Sequence, residues 1–385
     1  MKKTLAAVAV LGAFAGSALA ADVQLYGIVD TGVQYLNGDT DIAGSDAVNR
    51  FSMESGMQSG SRFGFKGTED LGNGLTVGFV LENQFSSDTG ALNSSGLLFH
   101  REASLFLEGA FGKFAMGRMG SINGGVSSWA KYGVISAFGT SWGDYSAQAG
   151  TWAMGAGMWD NVVAYETPNF AGFKVFAQYA MGNSKGDFSE ENESSSDRYY
   201  AIGASYANGP LNLYLAVDSI NYQTWGAGAP VSGADDIDDS LTVTFGGNYD
   251  FEVVKLFAGA QYFDEIKLSN MKGAVNFEDA DSGIATKMMK GWSLGVSGSI
   301  PVAGGNVLVG AAYLDAEAAD SVKDATKNDE LTRWIVSAGY DYPLSKRTNV
   351  YGILTYNQDS IDSDNKASER DPSVFGVMVG LRHKF

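Results

Sequence analysis

The chain contains no cysteine, only two histidines and six prolines among 385 residues, and 26 basic residues against 44 acidic ones. Each shortage excludes something. Without cysteine there is no disulfide and no thiolate metal site, so the fold rests on packing and hydrogen bonding alone. With a formal charge of −18 at pH 7, nucleic acid is not an expected partner. Beyond residue 20 no apolar run reaches the roughly 18 to 20 residues that a spanning helix needs. The two histidines, His100 and His383, stand apart from any Ser or Asp arrangement that marks a catalytic set. No phosphate loop or zinc spacing occurs, and the Asp-rich stretch 359–371 lacks the glycine and closing glutamate of a calcium loop. No cofactor is expected.

What is present begins with a leader. Lys2 and Lys3, an apolar run from Leu5 to Phe14 and small residues ending at Ala18-Leu19-Ala20 have the three parts of a secretory signal. Residues 1–20 are therefore read as a signal peptide and 21–385 as one exported β-barrel. Removing two lysines makes the mature chain more acidic still. Much of that charge is clustered, at Glu190, Glu191 and Glu193 and at Asp235, Asp236, Asp238 and Asp239. These clusters read as solvated loops, with divalent-cation bridging to anionic lipid as the sharper alternative.

From Asp22 onward the dominant pattern is period two, at which side chains alternate between the faces of a strand. In 75–83, Leu75, Val77, Phe79 and Leu81 share one face while Thr76, Gly78, Val80 and Glu82 share the other. Stretches 241–249 and 292–300 repeat the pattern. Sixteen such strands are predicted: 22–36, 59–69, 74–86, 97–109, 113–119, 158–168, 172–182, 197–207, 211–222, 240–250, 254–265, 289–300, 305–315, 331–342, 348–358 and 374–385. A water-soluble sandwich also alternates, so the connections decide. Short turns such as DLGNG (70–74), ANGP (207–210) and PVAGG (301–305) alternate with long polar segments, the asymmetry of an outer-membrane barrel. An even strand number puts both ends on the periplasmic side and lets the first and last strands close the sheet, leaving no open edge in hydrocarbon. Tyr35, Tyr179, Tyr206, Tyr249, Tyr262, Tyr313, Tyr340 and Phe385 fall near the ends of outward rows, as interfacial girdles require.

Five segments carry a resemblance: DVQLYGIVDTGVQY at 22–35, SRFGFKGTEDLGNGL at 61–75, REASLFLEGAFGKFAMGR at 101–118, YETPNFAGF at 165–173 and the ending GLRHKF at 380–385. In this order and spacing the chain resembles the trimeric general porins of Gram-negative bacteria, especially the neisserial and beta-proteobacterial branch, over nearly its whole mature length. The resemblance implies an all-β fold, a transmembrane 16-stranded antiparallel β-barrel with a long third loop folded into the lumen. It also implies a homotrimer in the cell outer membrane, in contact with lipid and lipopolysaccharide and passing small hydrophilic solutes and ions by diffusion. The terminal Phe385, on one row with Leu381, Val379, Val377 and Phe375, resembles the signal read by the barrel-assembly machinery.

Rings of fixed charge at the narrowest section set what such a channel passes. On the second predicted strand Phe63 and Phe65 point one way, so Arg62, Gly64 and Lys66 point into the lumen. Arg62 and Arg101 match two constriction arginines of the family, and Lys66 is a third candidate. Asp144, the sole carboxylate between Arg118 and Asp160, is the expected acidic partner from the third loop, 119–157. Asp160 and Glu166 are possible lumen residues of the sixth strand. Two family basic positions fall on Met158 and Ala164, which weakens the expectation of strong anion selectivity. Trp129, Tyr132, Trp142 and Tyr145, with Phe138 and Trp152, either pin that loop to the wall or line a channel preferring sugars or aromatic solutes. An outer-membrane barrel enzyme is the alternative of a different class. Glu102 and Ser104, on the row opposite Arg101, are expected outside, against neighbouring subunits.

Overall fold

The computed structural model describes residues 22–385 apart from 140–141, 143–149, 154–156, 183–190, 194, 224–237, 268–287, 322–328 and 364–368. The expected leader thus lies outside the described residues. Among the described residues seventeen strands follow one another: β1 (Gln24–Asp39), β2 (Val48–Ser55), β3 (Arg62–Gly72), β4 (Leu75–Gln84), β5 (Glu102–Gly109), β6 (Gly112–Gly120), β7 (Met158–Glu166), β8 (Phe173–Ala180) and β9 (Arg198–Asn208). Then come β10 (Leu211–Asn221), β11 (Leu241–Asp250), β12 (Lys255–Lys267), β13 (Met288–Val302), β14 (Gly305–Ala318), β15 (Glu330–Pro343), β16 (Thr348–Asp362) and β17 (Ser373–Lys384).

All pairings are antiparallel, and β17 returns to β1 from Ile28↔Lys384 to Asp39↔Ser373, which closes the sheet. The ring has sixteen staves rather than seventeen. β2 pairs with the upper half of β1 (Thr31↔Ser55 to Gly38↔Val48) and β3 with its lower half (Gln24↔Lys66 to Ile28↔Arg62). Together they are one stave, broken at residues 56–61. The alternation reading found the lower piece and missed β2, whose outward row holds only Phe51 and Met53 between polar neighbours.

The two faces differ as the period demands. On β10, Tyr214, Ala216, Asp218 and Ile220 are buried while Leu215 between them is exposed. Across the ring, Val29, Leu105, Phe245, Val296, Val336, Leu354 and Val379 are exposed on the outside. In water such an exterior would be unstable; in hydrocarbon it is the favourable surface, and strands of eight to sixteen residues suffice to cross it. Rings near the ends of the outward rows remain exposed, among them Tyr35, Tyr249, Tyr262, Tyr313 and Phe385. On the short-turn rim Leu71, Phe111, Phe170, Phe251 and Leu344 are exposed too, as an interface with headgroups allows.

The described parts of the third long connection, between β6 and β7, lie inside the ring. This connection carries one turn of 3-10 helix, Tyr132–Ile135, and its Ile122, Trp129, Tyr132, Ile135 and Trp152 pack on the inward row of β6 to β10, including Trp159, Phe176, Tyr199 and Tyr214. Its backbone polar groups are met by wall side chains. Gln178 Oε1 accepts from Ile122 N at 2.9 Å, and Asn248 Nδ2 donates to Val134 O at 2.7 Å. Ser297 Oγ accepts from Ala137 N at 2.9 Å, and Gln261 both accepts from Ala153 N at 2.7 Å and donates to Ala153 O at 3.0 Å. A chain segment without a ladder of its own needs such partners when buried.

Candidate functional site

The lumen holds a cavity of about 1190 Å³ lined by β1 to β5, the break at 56–61, the third loop and the last strands. Arg62 and Lys66 face into it from β3, level with Ile28 and Gln24 of β1. Arg101 faces it as well, though by an unexpected route. β5 begins only at Glu102, where the β4 pairing ends at Glu82↔Glu102. Arg101 stands just outside the pleat, its N–H still bonded to Glu82 O at 3.1 Å, so its side chain turns inward beside that of Glu102.

This corrects the reading of Glu102 and Ser104. Both are buried on the inner side: Glu102 accepts from Ser104 Oγ at 2.7 Å and from Ser128 of the third loop, at 2.8 Å from both its N–H and its hydroxyl. The outward row of β5 is Ala103, Leu105 and Leu107, so polar groups on that row no longer argue for a subunit contact.

Glu82 joins the basic residues. Its Oε1 takes Arg101 Nε at 2.5 Å, while its Oε2 accepts from Tyr26 Oη at 3.0 Å and lies 3.6 Å from Arg62 Nε. Two guanidiniums therefore share one carboxylate. Tyr26 reaches it by lying over Gly64, its register partner, where an added Cβ would sit 2.8 Å from the phenol oxygen. The same device recurs across the seam. Tyr351 lies over Gly380, an added Cβ there falling 2.3 Å from its oxygen, and donates to Asp30 at 2.6 Å.

Asp30 in turn holds the broken stave. Its carboxylate accepts from the N–H of Gln58 at 3.0 Å and of Ser59 at 2.6 Å, drawing 56–61 into the lumen. There Met57 packs with Phe138, Trp142 and Tyr351, and its carbonyl accepts from Trp142 N at 2.6 Å. The third loop and the in-turned wall thus meet on this side of the cavity. Arg382 of β17 completes the group, donating to Ser59 Oγ and to Asn349 Oδ1, both at 2.9 Å.

The remaining expected residues divide. Asp144 and Tyr145 lie outside the described residues. Trp129 and Tyr132 are buried against the wall, and Trp142 is almost so while edging the cavity, which favours the loop-pinning role of these rings over a solute-stacking one. Glu166 faces inward but is tied to Lys131 of the loop at 2.9 Å and to Lys174 at 2.6 Å. Asp160 does not border this cavity. The β6–β7 register shifts between Gly117 and Met119, Asn161 adopts φ 54°, and Trp159 turns inward instead, leaving Asp160 paired with Arg118. Met158 and Ala164 bring no charge to the wall. Phe385 exchanges backbone bonds with Gly27 at 3.1 and 3.0 Å, sealing the end of the seam.

Glu82, Asp30 and Arg382 were not singled out from sequence, although the signal existed. Glu82 sits on the polar row of 75–83, and Arg382 follows Gly376, Met378 and Gly380 on the row opposite Phe375 and Leu381.

A closed antiparallel ring, apolar outside and polar within, with a charged cavity beneath an in-folded loop, defines a membrane-spanning channel barrel. Comparison with known proteins gives it a family. Residues 6–362 match the family model described as Gram-negative porin. Over the full length of both chains the sequence is 34% identical to an outer membrane porin protein of Bordetella pertussis and 33% identical to outer membrane porin protein 32 of Delftia acidovorans. An anion-selective porin from Comamonas acidovorans has a similar structure, with TM-score 0.67 and 28% identity, over 95% of this chain and 100% of that one. The chain belongs to the Gram-negative porin family. It is an outer-membrane porin, a water-filled channel for passive diffusion of small hydrophilic solutes and ions.

Proposed function

We propose that permeating solutes pass an aperture bounded by Arg62, Lys66 and Arg101 on one side and the third loop on the other, with a mild preference for anions. The observation that carries this reading is the sharing of Glu82 by Arg62 and Arg101, which leaves that wall with more positive than negative charge. The preference is mild because Glu54, Glu102 and Asp341 also border the cavity. Asp144 is the proposed acidic partner from the loop. Reversal potentials in planar bilayers under a KCl gradient test the assignment. The wild type should favour chloride modestly, and Arg62→Ala with Arg101→Ala should shift the ratio toward potassium by about threefold. An unchanged ratio in the double variant would refute it.

The rest of the reading concerns biogenesis and assembly. Residues 1–20 are proposed to be removed on export, Phe385 to be read by the barrel-assembly machinery, and the barrel to sit among lipid and lipopolysaccharide. A homotrimer is supported by Leu92, Leu97 and Leu98, exposed apolar residues in a long loop beyond the membrane. No turnover chemistry is assigned: His383 bonds Thr348 Oγ1 at 2.8 Å on the exposed side, and His100 has no nucleophile or carboxylate bonded to it among the described residues.

A further inference from the structure

Among the described residues three arginines line the cavity, and they are not equivalent. Arg101 is bound to Glu82 at 2.5 Å and Arg62 lies 3.6 Å from the same carboxylate. Arg382 is held by neutral groups only, Asn349 Oδ1 and Ser59 Oγ, and forms no ion pair among the described residues. Two carboxylates on that side, Asp30 and Asp341, take their hydrogen bonds from neutral groups. Asp30, the register partner of Arg382 on β1, accepts from Tyr351 and from the N–H groups of Gln58 and Ser59. Asp341 accepts from Gln58 Nε2 at 3.1 Å and from Asn349 Nδ2 at 2.6 Å.

We propose that Arg382 is the specificity-determining cation of the aperture, aimed by Ser59 and Asn349 and serving small oxyanions and halides in transit. The inference deepens the aperture reading above and rests on it. A guanidinium bound closely to a carboxylate acts at a distance as a dipole, whereas one fixed by an amide oxygen and a hydroxyl keeps its full charge. Two of its five N–H donors are used here, so the others remain for an anion that sheds water at the narrowing. Asp30 and Asp341 soften this field without being bonded to it. Lys384, two residues on along the same inward row, faces Arg62 across Ile28 and extends the positive strip toward the periplasmic mouth.

The chain has no cysteine, so a single introduced thiol can be modified specifically in the open channel. Reversal potentials are measured for Arg382→Gln, for Arg382→Lys and for Arg382→Cys before and after cationic or anionic methanethiosulfonate reagents. Arg382→Gln should lower the chloride-to-potassium permeability ratio by about threefold, and Arg382→Lys should retain most of it. The cationic adduct at residue 382 should restore the ratio and the anionic one depress it further. Should substitutions at 382 prevent assembly, Ser59→Cys carries the same reagents beside an intact Arg382, and opposite shifts are expected from the two adducts. A wild-type ratio in Arg382→Gln alongside a reduced one in the Arg62 and Arg101 double variant would overturn the role of Arg382. So would unchanged ratios after adduct formation verified by mass. A wild type that already favours potassium, shifted further by Arg382→Gln, would instead sink the aperture reading and leave Arg382 standing.

Discussion

His100 illustrates how a single ring can report on its surroundings. It precedes β5, half-buried, and burial followed by the neighbouring charges of Arg118 and Arg101 pushes its pKa below the ordinary imidazole value. Arg118, whose Nε donates to His100 O at 2.7 Å, is itself paired with Asp160, and among the described residues no carboxylate is bonded to the ring. A cationic group with a lowered folded-state pKa binds fewer protons folded than unfolded. Its contribution is complete above the unfolded value of about 6.5 and is lost as pH falls below that toward the folded value. Between about pH 7 and pH 5 the wild-type barrel should therefore lose more thermal stability than His100→Gln. Equal losses in melting experiments followed by circular dichroism would contradict the placement of the ring.

At the level of elements, the third loop behaves as part of the wall. One of its ties is unusual in kind: Arg333 of β15 and Asp359 of β16, both fully buried, are bonded at 2.6 and 2.8 Å, and Arg333 donates its remaining Nη1 to Gly150 O at 2.5 Å. Removing one member of a buried pair strands the other charge, a cost of roughly 3 to 5 kcal/mol. Arg333→Ala should thus lower stability by about that amount and, by releasing the loop at Gly150, make single-channel current noisier; quiet openings of wild-type size would speak against the tie. The staves themselves were legible because period-two alternation survives wherever the pleat is regular, as on β4, β11 and β13. The positions where the alternation loses its phase share one cause. Arg101 stands outside the pleat, Asp160 lies beside a bulge at Asn161, and 56–61 leaves the sheet altogether. Each resets the parity from which a face is inferred, and the resets depend on partners that a local pattern does not contain.

For the whole molecule, the charge of −18 and the basic strip inside are separate matters. Acidic groups crowd the loop sequences, whereas the proposed aperture rests on Arg62, Lys66, Arg101 and Arg382, which share the cavity wall with Glu54, Glu82, Glu102 and Asp341. The screening length shrinks from about 10 Å at 0.1 M salt to about 3 Å at 1 M, below the span of a wide aperture. Anion preference should accordingly fade between these concentrations while conductance rises, and a preference independent of salt would point to binding geometry rather than field.

The in-turned segment 56–61 has a consequence for the birth of the channel. Its holders are Asp30 on the first stave and Asp341, Asn349, Tyr351 and Arg382 on the last three, together with Trp142. These come from opposite ends of the chain and become neighbours only when β17 zips onto β1. An incompletely zipped intermediate would have walls but no finished throat. Sieving therefore depends on closure of that seam, and a barrel left open there would leak rather than filter.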